Sequence, residues 1–101
     1  MGTNYYLQYI PKKRVGPVKT LHVGKSSAGW RFCFHYIKDL AENVEQWRKL
    51  IGLGSLWDEY DTIQVPDEFW EKVEAKQDGR YLDGSDDFLV DGYYFCRGEF
   101  S

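Results

Sequence analysis

From Trp30 onward the chain alternates large and polar side chains. Trp30, Phe32, Phe34 and Tyr36 fall on one side of an extended strand, and Arg31, Cys33, His35 and Ile37 on the other. This is the strongest strand pattern in the sequence, and its aromatic side is the expected core. Two earlier runs carry the same period. Tyr5 to Ile10 is rich in aromatic and apolar residues and stops at Pro11. Val18 to Val23 sets Leu21 and Val23 on one face with Thr20 and His22 on the other. The basic loop Lys12-Lys13-Arg14 and the breaker Gly16-Pro17 separate these two runs.

The period then switches. Leu40, Val44, Trp47 and Ile51 are spaced four, three and four apart, one stripe of a helix expected over Asp39 to Ile51. Asp39 with Glu42 reads as its capping box, and Gly52 or Gly54 as its stop. Leu56-Trp57 and Thr62 to Val65 then flank Asp58-Glu59-Tyr60-Asp61 like the arms of a hairpin. Pro66 suits a first helical position, Asp67 and Glu68 favour the dipole behind it, and Phe69, Trp70 and Val73 anchor this second helix. Asp91-Gly92, between Phe88 to Val90 and Tyr93 to Cys96, is the signal for a tight two-residue hairpin. This order predicts an α+β fold, a largely antiparallel sheet of about five to seven short strands with two helices packed on one face. The 101 residues suffice for a single globular domain, 1–101, and leave no room for a second core.

Composition sharpens this. The 4 Trp, 8 Tyr and 6 Phe bury large areas per residue, which offsets the poor surface-to-volume ratio of so small a domain. No stretch approaches the roughly 20 apolar residues that span a bilayer, so no membrane role is expected. Cys33 and Cys96 are far apart and follow no export signal, so both are expected as reduced thiols in the cytoplasm. The net charge of -3 hides a segregation, with Lys and Arg concentrated before residue 57 and Asp and Glu after it. One surface could therefore draw anions while another meets a basic partner. Long duplex contacts, which need many neutralised phosphates, are disfavoured in an acidic chain.

The densest chemistry lies in His22-Val23-Gly24-Lys25-Ser26-Ser27-Ala28-Gly29-Trp30. An imidazole, an ammonium and two hydroxyls among glycines make a candidate anion-binding turn, with Lys25, Ser26 and Ser27 on phosphate, backbone N–H groups around Gly24 as a nest, His22 as an auxiliary donor and Trp30 or Tyr6 as a stacking surface. It is not a Walker A loop, because the first glycine of that pattern would fall at Lys19 and an aromatic strand follows where a helix should start. The plain alternative is a hairpin turn whose hydroxyls cap the main chain. Two other groupings deserve weight. Trp57, Asp58, Glu59, Tyr60 and Asp61 could form an acidic, aromatic interface for a protein partner. Cys33 and His35, two apart on one strand, could form a nucleophile and base, although such pairs ordinarily pack against a helix with the thiol as a small apolar filler. The scattered Cys and His lack the short spacing of a metal site. The acidic run Asp83 to Asp91 has Phe88 and Tyr94 where an EF-hand needs its glycine and distal glutamate. No metal or cofactor is expected.

The opening Met1-Gly2-Thr3-Asn4-Tyr5-Tyr6-Leu7, the His22 to Trp30 run and the closing Gly98-Glu99-Phe100-Ser101 together resemble a family of small proteins encoded by bacteriophages and prophage-bearing bacteria. In that family a Cys-x-x-Cys knuckle commonly follows the first strand. Here Pro11 to Gly16 holds no cysteine, so a zinc site does not carry over. The resemblance implies a phage accessory protein of the host cytoplasm, acting by stoichiometric binding as counter-defence. Its ligand would be a phosphate-bearing small molecule or, alternatively, a host defence or nucleic-acid-handling protein. Oligomeric state is left open.

Overall fold

The computed structural model describes residues 2–9 and 19–98, the side chain of Lys19 excepted. The loop bearing Lys12, Lys13 and Arg14, and the closing Glu99-Phe100-Ser101, lie outside the described residues. In chain order the elements are β1 (Gly2–Tyr9), β2 (Lys19–Ser27), β3 (Cys33–His35), α1 (Val44–Gly52), β4 (Gly54–Asp58), β5 (Ile63–Gln64), α2 (Pro66–Ala75), β6 (Asp87–Val90) and β7 (Tyr93–Cys96). The strands form one sheet in the order β5-β4-β1-β2-β3-β7-β6. Every neighbouring pair is antiparallel except β3 with β7. The fold is therefore α+β with a mostly antiparallel sheet.

Both helices cover the same side. Tyr5 and Leu7 of β1, Val23 of β2, Phe34 of β3, Leu56 of β4 and Phe95 of β7 share one buried cluster with Trp47 of α1 and Phe69 of α2. Ring contacts tie it together: Phe69 meets Tyr5 edge-on at 5.3 Å, and Trp70 stacks on Phe34 at 5.7 Å. Arg48 of α1 lies 4.2 Å over the Trp70 ring, which seats the helices side by side. Among the described residues no helix covers the opposite face of the sheet.

The second helix and the last hairpin follow their sequence signals. Pro66 opens α2 with Asp67 and Glu68 in its first turn. Asp91 and Gly92 both take positive φ, as a two-residue turn of this hand requires, and β6 pairs β7 across it.

Three expectations need correction. Helix α1 starts at Val44 and not near Asp39, because Asn43 is the cap that accepts from the Gln46 N–H. Asp39 instead sits at φ 65 in a tight turn, where its N–H donates to Glu42. The strand expected to end at Val23 continues through the polar run to Ser27. The aromatic strand is pared to Cys33–His35, with Trp30 half-buried and outside the core.

Candidate functional site

The β1–β2 ladder contains a bulge. Tyr5 pairs with Gly24 but Tyr6 pairs with His22, leaving Val23 as the extra residue. Residues 22 and 25 would otherwise point to opposite faces. The bulge turns Val23 and Gly24 together toward the helices, so His22 and Lys25 both reach the uncovered face. Beyond it, strict alternation sends Ser27 outward with Lys25 and Ser26 back to the helix side. The Lys76 ammonium, just past α2, donates to Ser26 Oγ at 3.0 Å and to the Ser27 carbonyl at 2.6 Å. Burial lowers the pKa of this ammonium.

Lys25, Ser27 and Trp30 line one cavity of about 260 Å³ together with Cys33, Tyr94 and Cys96. Its roof is the segment after α2, contributing Leu82, and its far wall is Asp87 of β6. Arg31 holds that roof in place. Its guanidinium donates to the carbonyls of Gly79 and Gly92 and lies 4.6 Å over the Tyr81 ring. Main-chain bonds from Arg31 N to Arg80 O and from Arg80 N to Gly29 O, each 2.9 Å, fix the same contact. A side chain at Gly79 would meet the Trp30 main chain within 2.6 Å, so the approach there needs glycine. The cavity thus has a frame already tied by hydrogen bonds.

Its electrostatics are mixed. Lys25 and Arg31 bring two positive charges against the Asp87 carboxylate. Burial, reinforced by Cys96 and Asp87, pushes the Cys33 thiol far above its ordinary range. The Cys96 thiol is pushed up to about 11 by burial, reinforced by the neighbouring Asp87 carboxylate. Both are unbridged and neutral near pH 7. No family model, curated protein or solved structure matches the chain. The chemistry of the cavity is therefore what speaks for function.

The sequence-selected residues do not all converge. Tyr6 and His22 share the uncovered face but stand outside the cavity wall, stacked at 5.0 Å, with the His22 ring bonded to Asn4 Oδ1 and 5.8 Å from His35. Gly24 is buried and faces Phe32, so it forms no phosphate nest. Cys33 and His35 face away from the helices, contrary to the expected packing beneath one. A Cys33 thiol held neutral lacks the thiolate that nucleophilic catalysis needs.

That reading has a direct check. Iodoacetamide at pH 7.5 is expected to modify the native thiols roughly thirtyfold more slowly than an ordinary thiol of pKa about 8.5, with Cys96 ahead of Cys33. The rate should climb about tenfold per pH unit toward 11. Mass-spectrometric time courses read both sites, and rapid neutral-pH labelling of Cys33 would revive the nucleophile.

The acidic stretch is largely occupied with its own turn. Asp58 accepts from the Tyr60 and Thr62 N–H groups and from the Gln64 amide, and Glu59 accepts from the Asn4 N–H at 2.7 Å. Asp61 takes φ 61 in the same turn. Trp57 is half-buried beside Tyr6 in register, while Tyr60 is 67% exposed.

Beyond Arg31 and Cys33, which the sequence did not place in this site either, four wall residues escaped it: Tyr94, Cys96, Asp87 and Leu82. They arrive through the parallel β3–β7 pairing and the roof segment, contacts across more than half the chain for which no local signal exists. Among the described residues no three His, Cys, Asp or Glu side chains could hold a metal ion together, and no helix is long and apolar enough to cross a membrane.

Proposed function

We propose that this chain is a non-catalytic binding module for a small phosphate-bearing ligand with a planar ring, a nucleotide by its chemistry. The observation that carries the reading is the meeting of Lys25, Ser27 and Trp30 in one framed cavity with Arg31. A Lys25 ammonium and a Ser27 hydroxyl are the donors a phosphate oxygen takes. Trp30 offers ring surface to a base, and the Asp87 carboxylate can accept from an exocyclic amino group. Two cations against one carboxylate suit a monophosphate or a cyclic phosphodiester better than a triphosphate. At about 260 Å³ the cavity falls just below the about 300–1,000 Å³ that drug-sized ligands take, which favours the smaller members of this class. Sequestering such a molecule in the host cytoplasm, as phage counter-defence, is the biological use the sequence resemblance suggests.

Titration calorimetry at low salt against cyclic mononucleotides, cyclic dinucleotides and nucleoside mono- and triphosphates tests the proposal. Lys25→Ala should weaken the best ligand about ten- to a hundredfold, the worth of one charge-assisted hydrogen bond. His22→Ala should change it less than about twofold, since His22 lies outside the wall. No nucleotide bound by the wild type, or full binding by Lys25→Ala, refutes the reading.

A further inference from the structure

The two cysteines stand 63 positions apart in the sequence, yet the parallel pairing brings them to one spot. Cys33 lies opposite Tyr94 and Cys96 opposite His35, so the cysteines are diagonal neighbours on the uncovered face. Both line the cavity described above. The two thiols are near enough to act on each other electrostatically, and Tyr94 lines the same wall beside Cys33. Cys96 Sγ lies 3.6 Å from the Gly98 carbonyl, to which its S–H donates.

A disulfide fits this geometry poorly. Strands about 4.8 Å apart and an offset of two residues at about 3.3 Å each put the Cα atoms about 8 Å apart. A bridge closes only below about 7 Å. Two metal–thiolate bonds of about 2.3 Å span twice the reach of an S–S bond of about 2.05 Å.

We propose that Cys33 and Cys96 form a two-coordinate site for a soft monovalent d10 cation, of which Cu(I) is the type. Three observations select this class. Zinc and iron need three or four protein ligands, and no third His, Cys, Asp or Glu among the described residues completes such a set. Thiolates favour soft ions over hard ones. Lys25 and Arg31 in the same wall oppose the charge of the product. Binding is an exchange without redox change: two S–H bonds break, two S–metal bonds form and two protons pass to solvent. The dithiol plus M⁺ becomes a unit of charge -1. Burial that disfavours a bare thiolate does not disfavour it equally once the cation is shared between both sulfurs. Nucleotide binding is not required, so the two proposals fail separately.

Anaerobic titration of the reduced, nucleotide-free chain with Cu(I), in competition with the chelator bicinchoninate, tests it. One equivalent should be withdrawn from the chelator, with a thiolate-to-copper absorption in the near ultraviolet. Apparent affinity should rise by up to a hundredfold per pH unit between pH 6 and 8, the mark of two displaced protons. Cys33→Ser and Cys96→Ser should each weaken binding at least a hundredfold while far-ultraviolet dichroism stays that of the wild type. Equal copper retention by either single variant overturns the site. So does quantitative loss of two hydrogens by the native wild type in air with dichroism unchanged, because a direct bridge would contradict the Cα separation from which the site is argued.

Discussion

Trp47→Ala is expected to remove about 3–5 kcal/mol of stability, the largest loss of any single truncation in this domain. Trp47 is fully buried, on the stripe of α1 that also carries Val44, Leu50 and Ile51. Its indole Nε1–H donates to the His35 carbonyl at 3.0 Å, fastening the helix to the last residue of β3. Alanine would leave a cavity the size of two rings and an orphaned carbonyl beside it. Domains of this size hold only about 5–15 kcal/mol in all. The melting temperature should fall by more than about 12 °C in thermal dichroism. Leu53→Ala, at a side chain 71% exposed, should move stability by less than about 0.5 kcal/mol. A Trp47 variant as stable as the Leu53 variant would mean that α1 is not seated as described.

How much of this was legible beforehand follows from the range of each interaction. The stripe Val44, Trp47, Ile51 and the start of α2 at Pro66 are set by neighbours within one or two turns, and sequence alone reveals them. The Asp91-Gly92 hairpin is equally local, because positive φ at both positions is a property of two residues. Helix α1 shows the limit of that reasoning. Asp39 and Asn43 are both good caps, and which one wins depends on Ile37 and Ala41 pairing across the intervening turn.

The cavity was half legible. Lys25, Ser27 and Trp30 were singled out by residue type and do line it. The same density of polar groups suggested a loop, and the reading of Ser26 beside Ser27 fails because the segment is a strand whose side chains alternate. Strand β2 is held extended by β1 on one side and β3 on the other, pairings that no nine-residue window contains. Cys33 and Cys96 illustrate the same point more strongly, since only the sheet order makes them neighbours.

Gly24→Val should cost about 3 kcal/mol, although the residue sits in a run that looks built for phosphate. Gly24 pairs with Tyr5 on one side and Phe34 on the other, immediately after the bulge at Val23. A Cβ here would fall on the Cys33 carbonyl and within 2.6 Å of Phe32 Cε2. The carbonyl belongs to the neighbouring strand and cannot retreat without opening the β2–β3 ladder. Phe32 cannot retreat either, being buried edge-on against Phe34 at 4.7 Å and Phe69 at 5.2 Å. The glycine thus makes room for an aromatic side chain under the sheet. Urea unfolding should show the loss in Gly24→Val and almost none in Gly98→Ala, where nothing lies within 4 Å of the added carbon. Because Lys25 pairs with Cys33 in the next register position, the same variant should also lose ligand affinity without any change to a cavity side chain. Full stability in Gly24→Val would return this glycine to the role of an anion nest and remove the bulge as the reason His22 and Lys25 share a face.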